Sequence, residues 1–183
     1  NVRLDLFDRL VDVAGEGYDL DVRIGDEIAD HLIARRLATN HRVLCASPDY
    51  LARRGMPRTL ADLASHDCLA IKERDHPFGV WRLNVRGETA TVKVGGALST
   101  NHGEVAVQWA LAGRGIVLRS IWEAAPLIER GELRRVLPDA IQPANIWAVY
   151  PERVAASAKV RVCVDFLVET LAGLNAAAGD DTA

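Results

Sequence analysis

Between residues 43 and 150 the chain keeps switching between short apolar runs of strand length and helices announced by their own caps. Val43-Leu44-Cys45-Ala46 is one such run. Ser47-Pro48 directly after it supplies an N-cap oxygen and a proline for the first helical position, where a missing N–H costs nothing. The helix so predicted runs to about Arg54 and stops at Gly55. Thr59 caps another short helix, and residues 68–71 are the next strand. Ser99-Thr100-Asn101 precedes a helix over about 103–112, with Asn101 and Glu104 at capping-box spacing. Gly113 and Gly115 end it, and 116–118 returns to strand. Ser120 and Glu123 repeat the box for a helix ending at Gly131, before strands over 133–137 and 146–150. Strands alternating with helices predict an α/β fold with parallel strands.

The flanks extend this pattern. Residues 2–7 alternate with strand period, apolar at Val2, Leu4 and Leu6. A short helix over 9–14, closed by Gly15 and Gly17, leads to a strand over 20–24. Residues 80–85 and 89–94 read as a hairpin turning at Arg86-Gly87-Glu88. From Ser157 the apolar residues Val160, Cys163, Val164, Leu167, Val168, Leu171 and Leu174 form an unbroken helical stripe. The polar connector ending at Pro77 suggests two lobes, residues 1–73 with 146–183 and residues 74–145. Crossing strands near 72–78 and 143–148 would be the hinge.

Composition narrows the function. The net charge is -3, without the basic surplus of a free-standing nucleic-acid binder. Three widely spaced cysteines, Cys45, Cys68 and Cys163, argue for a reducing, cytoplasmic setting over a disulfide framework. No apolar run approaches the roughly 20 residues of a membrane span, and no signal peptide opens the chain. No G-x-S-x-G, H-E-x-x-H or G-x-x-x-x-G-K-[ST] occurs, and no histidine falls at metal-ligand spacing. The expectation is therefore no catalytic residue, no metal and no cofactor.

Six segments resemble the regulatory domain of LysR-type transcriptional regulators, in order along essentially the whole chain. They are E-G-Y-D-L-D-V-R-I-G (16–25), A-S-P-D-Y-L-A-R-R-G-M-P (46–57), D-L-A-S-H-D-C-L (62–69), G-V-W-R-L (79–83), A-L-A-G-R-G-I (110–116) and G-E-L-R-R-V-L-P (131–138). The resemblance implies a two-lobed fold like type II periplasmic binding proteins, with a small organic acid or aromatic metabolite as effector between the lobes. It implies a homodimer or tetramer, and DNA contact only through a winged helix-turn-helix that these residues do not contain. It also implies a strand and helix ahead of residues 1–7 that are missing here. In a doubly wound sheet ordered 2-1-3 that strand is central, and each buried amide left unpaired costs about 1–3 kcal/mol. The sequence is then a fragment, or a partner supplies the strand, or the first lobe is rearranged.

Ser99, Thr100 and Asn101 are the best candidate effector contacts, because they stand before a helix whose free N–H groups favour an anion. The rival reading is plain helix capping. Phe7 and Asp8 occupy another strand-to-helix turn, where Asp8 would repel a carboxylate unless Arg9 compensates. Arg23 could hold a carboxylate bidentately or serve an internal ion pair. Phe78 and Trp81 could form an aromatic wall, although core packing suits Trp81 better. Two alternatives stand beside the sensor: a solute-binding protein of the same fold, and an enzyme such as a dehydratase built on it.

Overall fold

A computed structural model describes residues 1–7, 9–72 and 77–179, the last seven of these as backbone only. It forms two compact units, Asn1–Leu10 with Arg42–Gln142 and Val11–His41 with Pro143–Ala183. These breaks fall after residues 41 and 142, whereas the sequence pattern suggested 73 and 145. The hinge segment read at 72–78 lies mostly outside the described residues.

The smaller unit holds the antiparallel strands β1 (Asp21–Ile24) and β2 (Leu32–Ala38), which flank a strand that returns late in the chain. The first strand and helix of the larger unit are β3 (His41–Ala46) and α1 (Pro48–Arg54). Ser47 Oγ accepts from Tyr50 N–H at the start of α1, and Gly55 ends it at φ 85°, as the local sequence predicts. A 3-10 stretch, Leu60–Ser65, follows. The Asp62 carboxylate accepts from the Arg58 and Thr59 N–H groups at its start, which holds Asp62 below the usual carboxylate range. Then come β4 (Cys68–Ile71), the hairpin β5 (Val80–Val85) and β6 (Glu88–Lys93), and the two-residue β7 (Ser99–Thr100). Next are α2 (Gly103–Leu111), β8 (Ile116–Ser120), α3 (Ile121–Glu129) and β9 (Arg134–Pro143). The chain closes with β10 (Ile146–Pro151) and α4 (Ala158–Gly179).

The larger sheet has seven strands in the order β6-β5-β9-β3-β8-β4-β7, so β3 is central. β4 pairs parallel with β8 from Cys68↔Ile116 and with β7 from Ala70↔Ser99; β3 meets β8 antiparallel. The sheet is thus mixed, with parallel strands and the antiparallel hairpin β5–β6 that the sequence pattern suggested. Leu44, Leu63, Leu83, Ile116, Leu118 and Val136 are its core. In the smaller unit β10 lies between β1 and β2, antiparallel to both, with Val149, Val160 and Val164 buried.

Residues 2–7 do not form the expected strand, and residues 9–14 do not form a helix. Val2, Leu4 and Leu6 are 91, 79 and 86 % exposed. A strand pattern cannot hold a strand without a ladder partner, since its N–H and C=O groups are then satisfied equally well by water. β2, by contrast, was not foreseen, because Arg35-Arg36 interrupts its alternation.

Candidate functional site

β4, β7 and β8 run parallel, so their carboxyl ends lie together, at Ile71, Thr100 and Ser120. In α/β sheets ligands settle beyond such ends. Here the chain turns from β7 into α2. Lys72 N–H donates to Thr100 O at 2.7 Å, and Thr100 Oγ1 accepts from His102 N–H at 3.0 Å. These two bonds fix the turn that aims α2. His102, not Asn101, is the N-cap, and its side chain makes no capping bond. The helix start, at the positive end of the dipole, is therefore not capped by the His102 side chain.

A guanidinium adds to that positive end. Gly103, the first residue of α2, lies so close to Arg119 that a β-carbon there would collide with the guanidinium carbon and both terminal nitrogens. Arg119 is mostly buried and ion-paired with Glu123, with Nη2 to Oε1 at 2.9 Å. Beneath this layer burial raises the Cys45 thiol to about 12, only partly opposed by Arg135 and Arg119, so Cys45 stays a neutral packing group. Sequence reasoning missed Arg119. A lone arginine ending the apolar run Ile116-Val117-Leu118, just before a capping serine, was the available signal.

Gly103→Ala should separate binding from stability. The new methyl displaces only the flexible end of Arg119, and alanine suits a helix better than glycine, so stability should move by under about 1 kcal/mol. Affinity for an anionic ligand should fall about tenfold or more, the loss of one charge-assisted contact. Calorimetric titration beside thermal unfolding checks both.

The other sequence candidates scatter. Ser99, Thr100 and Asn101 stand together at the start of α2. Phe78 lies 56 % exposed in the turn before β5, while Trp81 is 7 % exposed within the main core. Phe7 is exposed, with the Arg9 guanidinium carbon 4.7 Å above its ring. Asp8 lies outside the described residues. Arg23, in the smaller unit, is buried and ion-paired with Asp21 at 2.7 Å, with a further Nη2 bond to Val11 O at 3.4 Å. Among the described residues no group of three or more His, Cys, Asp or Glu could hold a metal ion. No helix among them is long and apolar enough to cross a membrane.

Two α/β units, one with a helix starting beyond the carboxyl ends of parallel strands, are an architecture that suits a small-ligand-binding domain. The comparisons with known proteins make this specific. Residues 1–172 match the LysR substrate binding domain, and the chain belongs to that family. It is 57 % identical over 166 residues to the HTH-type transcriptional regulator DmlR of Escherichia coli K12, covering 91 % of this chain and 54 % of that protein. It is 51 % identical over the same length to the HTH-type transcriptional activator TtdR of that strain, again 54 % of the relative. The chain thus spans about half the length of the curated relatives it matches. Among solved structures it resembles the regulatory domain of CrgA from Neisseria meningitidis, with a TM-score of 0.70 and 29 % identity over 86 % of this chain and 78 % of that one. Full-length AphB of Vibrio cholerae gives a TM-score of 0.76 at 26 % identity, over 92 % of this chain and 57 % of that one. These neighbours have the two-lobed, periplasmic-binding-protein-like fold that the family resemblance implied.

Proposed function

We propose that this chain is the effector-sensing part of a cytoplasmic transcriptional regulator, with a small organic acid binding at the start of α2. The sensing role is supported by the family. The sign of the ligand's charge rests on one observation, the Arg119 guanidinium lying against Gly103 at the positive end of the α2 dipole. Thr100 and Ser99 would supply side-chain hydrogen bonds, Arg119 the counter-charge, and Phe78 an apolar contact. The effector biases the regulator only by binding one conformation more tightly than another. The regulator would work as a homodimer or tetramer and reach DNA through a helix-turn-helix outside these residues. The relatives' names favour this reading over a solute carrier or an enzyme.

A thermal-shift screen of small carboxylates and aromatic acids tests it. A ligand at 100 times its dissociation constant should stabilise by about 2.7 kcal/mol, and Thr100→Ala or Ser99→Ala should remove the effect. If no compound shifts a well-folded protein, an effector-independent dimerisation module is the better account.

A further inference from the structure

α2 has a second end. β4 and β8 start side by side at Cys68 and Ile116, so Asp67 and Arg114 lie at their amino ends, away from Thr100. α2 runs back from its start at Gly103 to this end, finishing at Leu111. There the larger unit contains a recess of about 630 Å³, within the size range of small-molecule sites. Its lining is mainly apolar, with Leu69, Leu98 and Trp109 among the walls, and it carries two charges, Asp67 and Arg114. Among the described residues neither the Asp67 carboxylate nor the Arg114 guanidinium has a hydrogen-bond or ion-pair partner.

The backbone around the recess is set by close approach. Cys68 N–H donates to Gly95 O at 2.9 Å, and Ile116 N–H to Asp67 O at 2.9 Å. A β-carbon on Gly96 would stand 2.7 Å from Cys68 O, and one on Gly115 would collide with Asp67 O. Glycine is required at both positions, and both hold the strand starts that carry Asp67 and Arg114.

We propose that this recess binds a free α-amino acid with an apolar or aromatic side chain. The ammonium group would pair with Asp67 and the carboxylate with Arg114, which can hold it bidentately. The side chain would lie against Trp109, Leu69 and Leu98. A simple carboxylate fits less well, because Asp67 would face it with like charge, and a wholly apolar ligand would leave both charges unused. The site is separate from the anion site at the start of α2 and stands or falls independently of it.

Isothermal titration calorimetry of the intact protein with L-phenylalanine and L-leucine tests the proposal, with 3-phenylpropionate and phenethylamine each lacking one of the two charges. At least one amino acid should bind, and both single-charge analogues should bind at least about tenfold more weakly than phenylalanine. Arg114→Gln and Asp67→Asn, checked for unchanged melting temperature, should each weaken the amino acid about tenfold, while Thr100→Ala should leave it unaffected. Absence of saturable binding by both amino acids below about 10 mM overturns the proposal. So does equal binding of the single-charge analogues, or binding that Thr100→Ala abolishes and Arg114→Gln spares.

Discussion

Leu44→Ala should cost roughly 2–5 kcal/mol, near the upper end of that range, and lower the urea midpoint with little change in slope. Leu44 is 0 % exposed on β3, the central strand of the larger sheet, and pairs across the ladder with Leu118 of β8. A strand with neighbours on both sides cannot shift to fill the void, so the lost transfer energy and the cavity term add. For a domain whose stability is typically about 5–15 kcal/mol, this single change removes a large part of the total. Leu4→Ala makes the same chemical change on the exposed amino-terminal segment and should stay within about 0.5 kcal/mol. Equal losses at the two positions would show that residues 2–7 are packed in solution.

That contrast also shows what the sequence could tell. Leu4 and Leu44 both sit in runs of strand character, yet one is in the core and the other in water. Periodicity reports which face would be buried, not whether a partner strand exists. Local signals fared better. Ser47-Pro48 starts α1, and Asp62 accepts from the backbone at the Thr59 turn, because each interaction closes within four residues. β2 escaped because its ladder partner, β10, is more than a hundred residues away, with Trp147 opposite Arg36 and Ala148 opposite Arg35. A strand with two adjacent arginines becomes legible only once that partner is known.

The candidate site divides along the same line. The place of Ser99 and Thr100 ahead of a helix was legible from local sequence. Arg119 was not, since its place against Gly103 comes from β8 and β4 running parallel with α2 between them in sequence. Arg23 had a favourable position by pattern, but Asp21, two residues away on the same strand face, takes its guanidinium. Trp81 went to the core, as burial statistics favour for a large apolar ring.

Tyr50→Phe is the second large effect, about 1–3 kcal/mol for each polar group it leaves unpaired. The Tyr50 hydroxyl is buried, accepts from Asp67 N–H at 2.9 Å and shares a hydrogen bond with His66 Nδ1 at 3.1 Å. When the hydroxyl donates to Nδ1, His66 is neutral with its proton on Nε2. Phenylalanine keeps the ring packing and removes both bonds, so the loss belongs to the hydroxyl alone. The pH dependence gives an independent check. Burial first, and then the Arg54 charge, lower the His66 pKa below 6.5, only partly offset by Asp62 and Asp67. The unfolded chain then binds a proton near pH 6.5 that the folded chain refuses. Its contribution is complete above that pH and is lost as pH falls toward the lower folded value. Asp62 acts in a separate window, below its ordinary 3.8, where its N–H partners are lost on protonation. The melting-temperature difference between wild type and His66→Gln should therefore shift in favour of wild type as pH rises from 5 to 7. Parallel curves across that range would mean that His66 is free to take a proton in the folded state, and that Tyr50 holds only Asp67.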